Sequence, residues 1–286
     1  MKISIIGGAG KMGFCISKIL LKRGLDPLIW DKDRQKLLKT QKYGIRIAES
    51  CEDAVKKGDV ILLSVPIRDF EQVVKEISHY LRKGQLLIDI SSVKEYTINT
   101  MHRYVHTATT IGVHPMFGPS TQSLEDQNIM LTPTTNEEAR VAEYMRHKLD
   151  KMGAKTTIMT PKEHDQLMAS VLTLPHLIAL AAAETLLQTE REKLRQTAGP
   201  SLKTLMTLVN NVISQDPSLY SSIQMNLQSR NILKRFQKSI KEWTQIIGSR
   251  NDRRFVERMR LLRETRERKS GQKSQIRSIE SFRPRE

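Results

Sequence analysis

The string Gly8-Ala9-Gly10-Lys11-Met12-Gly13 follows directly on the apolar run Ile3-Ser4-Ile5-Ile6 and opens a stretch with helical periodicity. A strand, spaced glycines and a helix make the setting in which backbone amides and a helix N-terminus receive a dinucleotide's phosphates. In such a loop Gly8 allows the tight turn, Gly10 lets the backbone approach a pyrophosphate, and Gly13 lets the helix pack closely on its strand. The next strand candidate ends at Trp30-Asp31, 18 residues past Gly13, where an acid can accept from ribose hydroxyls. A glycine-rich turn without a ligand has no need of that acid.

Short aliphatic and β-branched runs recur at Lys2 to Ile6, Leu28 to Trp30, Val60 to Val65, Leu86 to Ile90, Thr109 to His114 and Asn128 to Thr132. Helical stretches such as Lys11 to Arg23 and Asp69 to Leu81 separate several of them. Such alternation predicts an α/β domain with a doubly wound, largely parallel Rossmann-type sheet, closed near residue 160 by Asn136 to Met152 and Thr156 to Met159. There the pattern changes. Thr160-Pro161-Lys162-Glu163 carries an N-cap, a proline at the first helical position and a capping-box acid. Long helical stretches follow, His164 to Gln188, Ser201 to Ser214 and one from Asp216-Pro217 towards Ile247, so residues 161–248 are expected to form an all-helical domain. The apolar stretch Leu172 to Leu187 needs cover, which a second copy of the chain would supply as a homodimer, an intramolecular bundle being the alternative.

Length agrees with two domains, since 286 residues exceed the usual single-domain size. Two cysteines without metal-like neighbours, no apolar run long enough to span a bilayer and no signal-like start point to a cytoplasmic chain free of the membrane. The formal charge of +16 favours anionic partners without choosing among them. Much of it sits in a basic tail, residues 249–286, with 13 Lys or Arg against 6 acids. The first part, Arg253 to Arg268, has helical spacing, and order is expected to end after Lys269. A nucleic-acid-binding tail and a solvated extension both fit this composition, and sparse aromatic interleaving favours the extension.

Ligands of open doubly wound sheets lie beyond the carboxyl ends of the strands. Three strand ends therefore face the crevice of the glycine loop: Ser64-Val65-Pro66, Asp89 to Lys94, and Val113-His114-Pro115 onward. Candidate cofactor contacts are Gly8, Gly10, Lys11, Met12, Gly13, Asp31, Val65 and Pro66. His114, at a strand end and followed by proline, is a candidate base. Asp31 favours NAD, while Lys32 and Arg34 beside it could attract the 2′-phosphate of NADP.

Asp89 to Lys94 with its Ser-Ser-Val-Lys, His114-Pro115-Met116-Phe117-Gly118-Pro119, Glu163-His164-Asp165-Gln166 and Gln215 to Tyr220 together resemble the prephenate dehydrogenases of tyrosine biosynthesis, over roughly residues 1–245. The resemblance implies oxidation of prephenate to 4-hydroxyphenylpyruvate, with loss of carbon dioxide and hydride transfer to NAD or NADP. It implies His114 as the acceptor of the hydroxyl proton and Ser92 as a catalytic serine that bonds His114 or the substrate hydroxyl. His164 and His176 would lie towards the substrate, and Ser120 stands where many relatives carry an acid. No metal is implied. Asn211 stands near where relatives place a carboxylate-gripping arginine, and asparagine cannot replace that bidentate charge. Arogenate or another hydroxy acid as substrate, and a nucleotide-sensing regulator that binds nucleic acid through the tail, are the alternatives.

Overall fold

The structure is a computed structural model that describes residues 1–280, without the side chains at 191, 219 and 270–280. The chain divides into two compact units, Met1–Ser229 and Arg230–Glu286.

In the first unit, β1 (Ile3–Ile6), β2 (Leu28–Trp30), β3 (Arg46–Ile47), β4 (Val60–Leu63), β5 (Leu86–Asp89), β6 (Thr109–Pro115), β7 (Asn128–Thr132) and β8 (Lys155–Ile158) form one sheet, ordered β3-β2-β1-β4-β5-β6-β7-β8. The pairs from β3 to β6 are parallel; β7 runs antiparallel to β6, and β8 lies parallel to β7. The helices α1 (Lys11–Lys22), α2 (Arg34–Thr40), α3 (Cys51–Lys57), α4 (Ile67–Ser78), α5 (Glu95–Tyr104) and α6 (Asn136–Lys151) connect the strands.

The period-2 alternation of the strands sends their side chains to opposite faces. Ile61 and Leu63 pack with Phe70, Ile77 and Ile98 on one face. Ile88, Ile111 and Val113 pack with Cys15 and Ile19 on the other. This is the doubly wound, largely parallel architecture expected from the sequence. The order reverses between β1 and β4, and the crevice opens at that point. Sequence periodicity does not reveal α2 and α3. They are short, and their starts are fixed by the Asp33 and Ser50 side chains, which accept from the Lys36 and Asp53 amides.

Among the described residues no strand follows β8. Next come α7 (Pro161–Met168), a π-helical turn at Ala169–Thr173, α8 (Leu174–Leu186), α9 (Arg191–Thr197), α10 (Pro200–Ile213) and α11 (Pro217–Gln224). The Thr160–Glu163 capping box forms as the sequence predicts. Pro175, at the start of α8, lacks an amide proton, which accounts for the widened turn just before it.

Two expectations are corrected. Contrary to the reading of no bilayer-length apolar run, the continuous helix Pro161–Leu186 is long and apolar enough to cross a membrane, with 22% of its most apolar 18 residues buried. His164, Asp165, Met168 and Ala169 are buried, and Ala179 packs on Val209 and Val212 of α10, while most of the helix is half-buried or exposed. The single helix expected from Pro217 to Ile247 is broken instead. It stops at Gln224 because the Asn226 side chain takes the Gln228 amide at 3.0 Å, a local turn that competes with helix.

The second unit contains α12 (Ser229–Gly248) from its second residue on, and α13 (Asp252–Glu280). Trp243 and Phe255 meet edge to face at 5.2 Å, and Arg258 covers Trp243 while pairing with Glu242. Helix α13 continues beyond Lys269, where order was expected to end, and residues 281–286 of the tail lie outside the described residues.

Candidate active site

The glycine loop is built by close backbone contacts. Gly7, with φ of +80°, makes the left-handed turn expected of Gly8, and the Gly7 and Gly8 amides donate to the Trp30 carbonyl at 2.8 and 3.0 Å. A Cβ at Gly8 would strike Ile29, and one at Gly13 would strike the Gly7 carbonyl, so Gly13 does set helix α1 close on its strand. Gly10 differs: a Cβ there would meet the Gly7 carbonyl at 3.2 Å and the Ser64 carbonyl only at 4.0 Å. The space over Gly10 is what a pyrophosphate needs, and α1 begins there with no side chain capping its amides. These residues fit a dinucleotide. Lys11 and Pro66 are exposed and Met12 and Val65 half-buried around the loop. The Asp31 carboxylate accepts from the Ala9 amide at 3.2 Å and the Asp33 amide at 3.0 Å, which fixes it against the loop.

His114 ends β6. Ile111 and Val113 belong to the core on one face of the sheet, so Gly112 and His114 point to the other. There the first turn of α7 arrives, and His114 Nδ1 lies 2.8 Å from Nε2 of His164. Nδ1 of His164 lies 2.7 Å from Oδ1 of Asp165. The two Asp165 oxygens also accept the amides of Lys94 and Glu95, at 2.8 and 3.0 Å, so this carboxylate caps α5. An accepting carboxylate places the proton of His164 on Nδ1. His164 Nε2 then accepts from His114 Nδ1, and His114 Nε2 keeps its lone pair. Among the described residues, the wholly buried side-chain polar atoms without partners are Ser4 Oγ, Thr156 Oγ1 and His176 Nδ1. His114 Nε2 is not among them and bonds none of the described residues, so in a ring only 5% exposed it is this nitrogen that keeps some accessible surface.

Beside this series of hydrogen bonds lies a buried ion pair. Lys94 Nζ pairs with Asp89, whose carboxylate also accepts from the Ser91 amide at 2.8 Å and the Thr97 hydroxyl at 2.7 Å. A Cβ at Gly112 would run into the Lys94 stem and Thr132, so this glycine admits the lysine. Burial lowers the Lys94 pKa against the pull of Asp89. Burial first, then the Lys94 ammonium and His164, hold His114 well below the usual 6.5. The base is thereby kept neutral at ordinary pH.

The remaining candidates are spread out. Ser92 is half-buried and bonds nothing among the described residues; the partner of His114 is His164 instead. His164 itself, expected to face a substrate, is fully buried with both ring nitrogens engaged inside the protein, so neither is left for a ligand. His176 stacks on Tyr220 at 4.3 Å between centroids with Nδ1 unpartnered, and burial lowers its pKa. Ser120 is exposed on the β6–β7 loop, and Asn211 is exposed on α10. Asp89 and Asp165 were not singled out as functional from the sequence, although both stand inside the strings that carry the resemblance.

Residues 16–158 match the family model of the prephenate dehydrogenase nucleotide-binding domain, and residues 160–261 that of the prephenate dehydrogenase dimerization domain. A probable arogenate/prephenate dehydrogenase of Methanocaldococcus jannaschii is 33% identical over 268 residues, 91% of this chain and 60% of that protein. The T-protein of Enterobacter agglomerans is 26% identical over 257 residues, 89% of this chain and 64% of that protein. The chain thus spans about 60% of the length of such curated relatives. The crystal structure of Aquifex aeolicus prephenate dehydrogenase with hydroxyphenyl propionate and NAD+ superposes with a TM-score of 0.78 at 23% identity, covering 94% of this chain and 98% of that one. Synechocystis arogenate dehydrogenase gives a TM-score of 0.72 at 19% identity, covering 95% and 99%. The chain belongs to the prephenate dehydrogenase family.

Proposed function

We propose that the chain oxidises prephenate to 4-hydroxyphenylpyruvate with loss of carbon dioxide and NAD as the acceptor, acting as a cytoplasmic homodimer joined through its helical region. The observation that carries this reading is the buried series Asp165–His164–His114, which leaves one imidazole nitrogen unprotonated and open at the end of a sheet strand. A dinucleotide bound at the glycine loop supplies the hydride acceptor for the ring carbon that bears the hydroxyl. His114 Nε2 takes the hydroxyl proton as the carbonyl develops. The charge that appears on its ring is then stabilised through His164 by Asp165, which holds the tautomer without itself taking the proton. Burial, and after it the Lys94 ammonium, keeps the resting ring neutral. Ser92 and His176, whose Nδ1 lacks a protein partner, would orient the substrate, and Ser120 would face it from the β6–β7 loop.

Gly8, Gly10, Lys11, Met12, Gly13, Val65 and Pro66 would cradle the dinucleotide, and Asp31 at the ribose favours NAD over NADP. Family membership, the loop geometry and the names borne by the relatives support this reading. Its test is turnover of prephenate, and of arogenate in parallel, with NAD and with NADP, followed by the absorbance of the reduced cofactor. Reduction with prephenate and NAD, lost in His114→Asn, is expected. A wild-type chain that turns over neither acid, or a variant as active as wild type, would refute it.

A further inference from the structure

The β2–α2 turn continues past Asp31 with Lys32, Asp33 and Arg34, at the place where this fold class holds the adenosine ribose. Cations there are what a 2′-phosphate requires, yet two lysines of this region are occupied. Lys36 pairs with Asp33 at 2.9 Å within its own helix. Lys32 instead reaches out of its element to Asp69 in the first turn of α4, with Nζ 2.7 Å from Oδ2. Strands β2 and β4 flank β1 on opposite sides, so this pair joins loops two strand spacings apart, about 10 Å, across the end of β1 and its glycine loop. The lysine side chain is 74% exposed and the carboxylate 28%, so the lysine is the mobile member and Asp69 its anchor.

We propose that Asp69 is a specificity-determining residue for the cofactor: by holding Lys32 it withholds from a 2′-phosphate the ammonium that would otherwise bind it. Two carboxylates, one just past β2 and one in the first turn of α4, then select NAD together, Asp31 by meeting the ribose and Asp69 by engaging the neighbouring cation. Asp31 alone cannot do this as well, because Lys32 follows it directly and would offset its repulsion of the phosphate. The inference rests on the nucleotide-binding part of the proposed function and not on the identity of the acid that is oxidised.

Equilibrium binding of 5′-AMP and of adenosine 2′,5′-bisphosphate, which differ only in the 2′-phosphate, tests it on the full chain by titration calorimetry. Asp69→Asn keeps the size of the side chain and frees Lys32. The ratio of the two affinities is expected to shift about tenfold towards the bisphosphate, the worth of one charge-assisted hydrogen bond. In a Lys32→Ala background the same substitution should shift the ratio less than about twofold. Lys32→Ala alone should leave the ratio near that of the wild type, since its ammonium is already engaged. An unshifted ratio in Asp69→Asn, or an equal shift in both backgrounds, contradicts the proposal. So does a tenfold loss of bisphosphate binding in Lys32→Ala alone, which would mean that the lysine already serves the phosphate. Binding needs no turnover, so a chain inactive on prephenate that still shows the shift overturns the substrate and leaves Asp69 its role. A wild type that binds neither nucleotide overturns both.

Discussion

A buried histidine between two other polar groups is usually structural, and His164 is one; His114 is distinguished by the nitrogen that its neighbours leave unused. Asp165→Asn keeps one oxygen to cap α5 but no longer fixes the proton of His164. We expect kcat to fall by about a hundredfold or more with KM little changed, as measured by steady-state kinetics. The depressed pKa of His114 also sets a pH dependence of stability. The unfolded ring takes up a proton as pH falls through about 6.5, whereas the folded ring resists it until lower pH. Its contribution to stability is therefore complete above that value and declines as pH drops below it. Urea midpoints should decrease between neutral and mildly acidic pH, and less so in His114→Asn; an equal decrease in both would assign the effect to other groups. From the sequence, His114 could be picked out by its position at a strand end before proline. Asp165 could not, because nothing local tells that a residue 51 positions later will stand behind that ring. Only the approach of α7 to the sheet brings them together.

Elements were legible to the extent that their periodicity was their own. Leu28–Trp30 and Asn128–Thr132 appear at the bounds expected of them, because apolar runs bounded by polar turns are set locally. The break at Asn226 was missed because a side-chain turn costs the apolar pattern nothing. Capping boxes carry more information. Thr160 announces α7, the element that delivers both His164 and Asp165 to the site. Thr160→Ala should cost about 1 kcal/mol of stability in denaturant unfolding, and it should lower kcat while leaving AMP affinity as it was. Gly13→Ala should act in the opposite sense. Its Cβ must displace the Gly7 carbonyl, so nucleotide affinity should fall by about tenfold or more, with a stability loss of about 1–3 kcal/mol; unchanged AMP binding by calorimetry would show that the loop does not hold the dinucleotide.

At the scale of the molecule, the continuous helix Pro161–Leu186 leaves Leu167, Val171 and Leu180 exposed, with Leu187 just past its end, in the region that matches the family's dimerization domain. Exposed apolar side chains of this kind call for cover, and a second copy is the cover proposed. Sedimentation velocity should show a dimer that Leu180→Asp shifts towards monomer; a wild-type monomer at all concentrations would reject the interface. The fold class was readable from the alternation of strands and helices, whereas the bilayer-length helix was not, because the polar residues of its first turn obscure the apolar run that follows. The account as a whole is tested most directly by the pH profile of kcat/KM for prephenate with NAD, from about pH 5 to about pH 9. It predicts a flat profile through neutrality with an acid limb well below 6.5, shifted or lost in Asp165→Asn. A limb at the ordinary histidine value, unmoved by that substitution, would contradict it.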